Sequence, residues 1–191
     1  MVNKDDNRPK GHKSKKMSNS ILITGAIKTK QLIFYCVTSF VSGAILYILL
    51  ERTDNFGLAP LGGDIFFTWI CGSYPNDYPF YYIFIVSVFY ALFAALFSNK
   101  FAKSNIAGQT GWLSLIILFT ILASSPFGGI LTYYLDMRRG YFPDTWVYIL
   151  LTKGIFEGLF SGWIVIAFAF PYNLLCVIGG YFLTKIGSKC F

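Results

Sequence analysis

The chain has 191 residues, of which 55% are hydrophobic, 19% aromatic and only 13% charged. This composition is far more apolar than that of soluble domains, and it excludes an ordinary water-soluble globular protein of this length. The net charge of +7 is unevenly distributed, because the first 30 residues hold eight Lys and Arg residues against two Asp residues.

Residues 1–30 are predicted to form a disordered, basic, cytoplasmic tail, since polar residues dominate and no apolar period extends through them. One interpretation is a contact surface for anionic lipid or an acidic protein partner, carried by Arg8, Lys10, Lys13, Lys15 and Lys16. The simpler interpretation is that these charges only orient the chain in the membrane. Direct nucleic-acid binding is not expected, because no aromatic residue lies between the lysines to stack on bases.

Four long runs without Lys, Arg, Asp, Glu or His follow the tail, at residues 32–50, 80–97, 111–135 and 158–184. At about 1.5 Å per residue, each is long enough, or nearly so, to cross a hydrocarbon layer of about 30 Å. The sequence therefore predicts an all-α integral membrane protein, with a four-transmembrane-helix bundle in residues 31–191.

The distribution of basic residues predicts the orientation of this bundle. Twelve of the 16 Lys and Arg residues lie in the tail, in the loop at 98–110 or after the last run. The positive-inside rule then places both termini in the cytoplasm. Short loops and the lack of an Asn-x-Ser/Thr sequon favour a bacterial inner membrane.

Two local features interrupt the simple pattern. An apolar segment at 65–71, in the first loop, is too short to span, so it lies at the interface as a lid or enters the membrane as a re-entrant loop. Pro126 and Pro171 predict that runs three and four are both broken. Two breaks at similar depth are ordinary in membrane helices, but they are also how transporters build a substrate site.

Three glycines spaced by four residues, Gly154, Gly158 and Gly162, form the most specific motif. On a helix they make a smooth stripe on which a neighbouring backbone packs closely. The pattern does not decide between packing within one protomer and packing between protomers. The small size of the chain favours a homo-oligomer.

A few polar residues form a candidate intramembrane or interfacial site. Glu157 lies between two of the glycines, and Lys153 precedes it by one helical turn, so the two can form an ion pair. A single helix over residues 146–184 would exceed the bilayer thickness. We therefore expect residues 146–156 to lie along the interface and Glu157 to lie near the headgroups. Within the apolar runs, Asn173 is the other polar candidate.

Enzymatic and metal-binding functions find no support in the residue inventory. The single histidine, His12, is in the tail, and no nucleotide-binding loop or cysteine pair with metal spacing occurs. We predict no catalytic residues, no metal site and no cofactor.

Two functions remain after these exclusions. The first is a non-enzymatic, scaffold-like membrane subunit that oligomerises in the lipid and recruits or regulates a cytoplasmic protein partner. The alternative is a homo-oligomeric channel or small transporter, which the scarcity of charge in the spans disfavours.

The layout of four spans, a basic cytoplasmic tail and no enzymatic residues resembles the transmembrane subunit of the Kiwa bacterial anti-phage defence system. No diagnostic motif carries this resemblance, so no residue role is transferred. It implies an inner-membrane homo-oligomer that detects phage attack together with a cytoplasmic partner.

Overall fold

The computed structural model describes residues 29–49, 79–138, 140, 146–168 and 172–190. These form six α-helices and one π-helical turn: α1 (Thr29–Leu49), α2 (Pro79–Lys103), α3 (Ile106–Arg138), α4 (Trp146–Ile149), the π turn (Leu150–Gly154), α5 (Ile155–Phe168) and α6 (Tyr172–Cys190). The expectations for the basic tail and for the apolar segment at 65–71 lie outside the described residues.

Four helical stretches are long and apolar enough to cross a membrane: Thr29–Leu49, Phe80–Lys103, Ile106–Arg138 and Val147–Ile164. For the described residues, the prediction of an all-helical chain with four such helices is therefore confirmed. The first three stretches coincide with predicted runs, whereas the fourth begins 11 residues before the predicted one.

The predicted fourth run, at 158–184, is covered by two described helices. Helix α5 comprises Ile155–Phe168 and α6 comprises Tyr172–Cys190. Residues 169–171, and with them the predicted break at Pro171, lie outside the described residues. The helix also continues from Trp146 through Glu157 with only a π turn, so the expected turn near Glu157 is not found.

The prediction that the third span is broken at Pro126 is also wrong. Helix α3 runs without interruption for 33 residues, a length of about 50 Å. Proline is tolerated in such helices where neighbouring helices and Ser or Thr side chains bond the backbone. The hydroxyls of Ser124 and Ser125 both donate to the carbonyl of Ile121, five residues before the proline, whereas the carbonyl that Pro126 leaves without its helical N–H partner is that of Leu122.

The ends of the helices follow from local chemistry. Pro79 opens α2, at a position where a missing N–H costs no helical hydrogen bond. Asn105 caps α3, since its Oδ1 accepts the backbone N–H of Gly108 at 2.9 Å. Gly140 follows α3 with φ +83° and donates to the carbonyl of Met137, a helix-terminating conformation that favours glycine.

The helices pack most tightly at one end of the bundle, which we call the closed half. Its core consists of Tyr35, Tyr90, Ala91, Ala94 and Ile116. These residues are early in α1 and α3 but in the second half of α2, so consecutive long helices run in opposite directions. Helices α5 and α6 both run back towards the closed half. The described chain therefore passes up, down, up and down, and Thr29 and Cys190 lie at the same end.

Candidate ligand-binding cavity

The glycine stripe of α5 is buried against α3. A Cβ atom on Gly158 would collide with the carbonyl oxygen of Ser125, and one on Gly162 would collide with the Ser125 hydroxyl. A Cβ atom on Gly129 of α3 would likewise collide with the carbonyl oxygen of Gly154. The stripe is thus used within the protomer, where it holds α5 against the second half of α3 at backbone contact distance.

Beyond the closed half the helices separate around a cavity of about 700 Å³. Its lining comes from the second half of α1, the first half of α2, the second half of α3, the start of α5 and the first half of α6. We call this end of the bundle the open half. The volume lies in the range of sites for small molecules, and the lining is mostly apolar with a limited set of polar groups, as in such sites.

Hydroxyl groups supply most of the polarity of the cavity wall. Seven of them donate to a backbone carbonyl three or four residues earlier in their own helix, at 2.5–3.3 Å: Ser39, Ser87, Thr120, Ser124, Ser125, Thr132 and Ser161. Each hydroxyl carries one hydrogen and two acceptor sites. The hydrogen is engaged with the backbone, so what these groups retain for a ligand is acceptor capacity.

Tyrosines form the other polar part of the wall: Tyr47, Tyr82, Tyr90 and Tyr133. Tyr90 lies where the cavity meets the closed half. Its hydroxyl is 2.8 Å from the Thr184 hydroxyl and 2.9 Å from the carbonyl of Gly180. The Tyr35 hydroxyl in turn donates to the carbonyl of Thr184 at 3.2 Å. This network joins α1, α2 and α6 beneath the cavity.

A single carboxylate lines the cavity among the described residues, and it belongs to Glu157 in the first turn of α5. Its side-chain partner is the Tyr133 hydroxyl, which donates to it across the α3–α5 contact. Lys153 is exposed, lies in the π turn and is not part of the lining. Asn173 lies in the first turn of α6. The structure therefore brings Glu157 to the cavity, whereas Lys153 lies outside the described wall.

Sequence reasoning missed the cavity because its wall is assembled from five helices. Each hydroxyl taken alone is an ordinary residue in an apolar run. The available signal was that every apolar run carries Ser or Thr side chains, but their convergence depends on helix packing that no single run encodes.

The described residues contain no group of three or more His, Cys, Asp or Glu side chains suited to a metal ion. Comparison of the chain with protein-family models, curated proteins and solved structures finds no match. The interpretation of function consequently depends on the geometry of this chain alone.

Proposed function

We propose that this chain is a multi-pass membrane protein that binds a small, largely apolar molecule in the cavity of the open half. The observation that supports this function is the cavity of about 700 Å³ beside a fully packed closed half. Protein interiors leave few voids larger than a water molecule. Small residues occupy many positions of the wall, so the cavity is a shaped space rather than a packing defect. A binding function fits a transporter or a ligand-sensing subunit.

Glycine residues provide a matched test of this proposal. Gly179 lines the cavity, and a Cβ atom there would meet nothing within 4 Å. Gly111 is equally open, but it lies in α3 outside the lining. Both glycines are exposed, so Gly179→Phe should add a large side chain at the cavity wall without damaging the bundle, while Gly111→Phe adds the same side chain elsewhere.

The measurement is equilibrium dialysis of radiolabelled triphenylmethanol, a neutral, phenyl-rich molecule, against the purified protein in detergent. We expect saturable binding to the wild type, binding weakened by about tenfold or more in Gly179→Phe, and wild-type binding in Gly111→Phe. Each protein is first checked for a monodisperse peak in size-exclusion chromatography. Binding that does not saturate, or that Gly179→Phe leaves unchanged, would overturn the proposal.

The charge distribution favours a second function, the recruitment of a cytoplasmic partner by a non-enzymatic subunit. In this proposal the chain resides in a bacterial inner membrane with both termini inside, as twelve of 16 basic residues at one side favour. The resemblance in layout to the Kiwa membrane subunit would make it a homo-oligomeric sensor of phage attack.

Neutralising the tail tests this second function. Changing Arg8, Lys10, Lys13, Lys15 and Lys16 to Gln removes five positive charges, each contributing about 1 kcal/mol near an anionic surface. Co-purification of the partner should fall relative to the wild type, most clearly at low salt, where the removed charges are least screened, while Lys28 and Lys30 remain to orient the chain. Unchanged co-purification would refute recruitment by the tail.

A further inference from the structure

The cavity has an unbalanced charge inventory. Among the described residues of its wall, Glu157 is the one acidic side chain, and no Lys, Arg or His lines it. Its Tyr133 partner contributes a neutral hydroxyl, so it does not cancel the negative charge. Glu157 is exposed, and no cationic side chain accompanies it among the described residues of this mostly apolar wall, so the site favours a ligand that brings the positive charge.

The hydrogen-bonding groups of the wall also favour a ligand that is positively charged or carries hydrogen-bond donors. Three of the seven hydroxyls that donate to their own backbone belong to partly exposed residues, Ser39, Thr132 and Ser161, and these offer acceptor oxygens to the cavity. A ligand rich in acceptors finds few donors here, whereas a ligand with N–H groups, or a positive charge spread over methyl or phenyl groups, is attracted by oxygen lone pairs. The wall therefore discriminates against anions twice, by charge and by hydrogen bonding.

The aromatic residues complete this pattern. Four tyrosine rings line the same space, and the face of a tyrosine ring attracts cations. Carboxylate, acceptor oxygens and tyrosines together match a cation with an apolar body, whereas the mostly apolar remainder of the wall excludes a small hydrated ion.

We propose that the cavity binds a lipophilic organic cation, such as a hydrophobic amine or a quaternary ammonium or phosphonium ion, with the Glu157 carboxylate opposite the positive charge. This inference rests on the proposed cavity function and specifies its ligand class. In it, Glu157 contacts the ligand.

The test uses three probes that share a cluster of phenyl rings and differ in charge: tetraphenylphosphonium, triphenylmethanol and tetraphenylborate. The wild-type protein in detergent should bind the phosphonium about tenfold or more tightly than the neutral alcohol, and it should not bind the borate. This comparison needs no variant, so a folding defect cannot obscure it. Equal affinity for the phosphonium and the alcohol, or binding of the borate, would overturn the inference.

Two variants then assign the preference to a residue. Glu157→Gln keeps the size of the side chain, and it should weaken phosphonium binding by about tenfold while leaving triphenylmethanol binding unchanged. Lys189→Gln, in the last turn of α6 at the far end of the bundle and outside the wall, is the control and should leave all affinities as in the wild type. Full phosphonium affinity in Glu157→Gln would contradict the role of the carboxylate.

The outcomes separate this inference from the function on which it rests. If triphenylmethanol binds, and Gly179→Phe blocks it without any preference for the cation, the cavity function stands and the cation inference fails. A lipid acyl chain as the natural occupant would give this result, because its binding does not depend on Glu157. If Gly179→Phe affects neither probe, the cavity function itself fails.

Discussion

The two halves of the bundle use the same polar groups in different ways. In the closed half the hydroxyls of Tyr35 and Tyr90 reach across to α6 and bond Thr184 and the carbonyl of Gly180. In the open half the Ser and Thr hydroxyls bond the backbone of their own helices. The seven Ser and Thr hydroxyls of the cavity wall thus bond within their own helices, whereas these two tyrosine hydroxyls of the closed half connect helices, as the Tyr133 hydroxyl does with Glu157 in the open half.

This difference has a mechanical consequence. A hydrogen bond between helices fixes their separation, whereas a bond from a side chain to its own backbone leaves neighbouring helices free to move apart. The closed half thus acts as a fixed base, and the open half can adjust its width to an occupant. The exception in the open half is the α3–α5 contact, which backbone proximity at the glycines fixes instead.

The largest effect of a single substitution is expected at the α3–α5 contact. In Gly158→Leu the new side chain would overlap the carbonyl of Ser125, a backbone atom that cannot move aside without displacing α3. We expect a loss of about 3 kcal/mol or more in the free energy of unfolding, or failure to accumulate as folded protein. The measurement is the monodisperse fraction in size-exclusion chromatography together with unfolding by SDS.

Gly111→Leu is the matched control, because a Cβ atom at Gly111 meets nothing within 4 Å. It should leave both the yield and the unfolding curve close to those of the wild type. If Gly158→Leu were equally harmless, the close approach of α3 and α5 would be incorrect.

A smaller effect should separate the closed half from the open half. Tyr90→Phe removes the hydroxyl that bonds Thr184 and Gly180, and Thr184→Val removes the matching hydroxyl. For a buried hydrogen bond between membrane helices we expect each change to cost about 1 kcal/mol. The double variant should cost less than the sum of the two, which a double-mutant cycle in SDS unfolding measures.

Tyr148→Phe provides the reference for loss of a tyrosine hydroxyl alone, since Tyr148 is 74% exposed. It should change stability little. Strict additivity of Tyr90→Phe and Thr184→Val would mean that the network does not couple α2 to α6.

The sequence allowed the helices to be predicted more reliably than the spaces between them. Long uncharged runs located α1, α2 and α3, because a helix that satisfies its own backbone is required in lipid whatever its neighbours are. The glycine spacing indicated close packing, but the partner, α3, could not be identified from α5 alone. Pro126 and Pro171 look alike in sequence; α3 continues through the first, and the second lies outside the described residues, between α5 and α6.

The smallest expected effect concerns a hydroxyl of the open half, and it tests the comparison between the two halves. Ser87 is almost completely buried, and its hydroxyl donates to the carbonyl of Ile83 in the same helix at 2.7 Å. Ser87→Ala removes a hydroxyl from the cavity wall without leaving that carbonyl unpaired, because the helical N–H still bonds it. We expect a change in the free energy of unfolding within about 0.5 kcal/mol, clearly below that of Tyr90→Phe. SDS unfolding of both variants under one set of conditions measures the difference. A loss in Ser87→Ala as large as in Tyr90→Phe would show that the hydroxyls of the open half also connect helices, and the contrast between a fixed base and an adjustable cavity would then be lost.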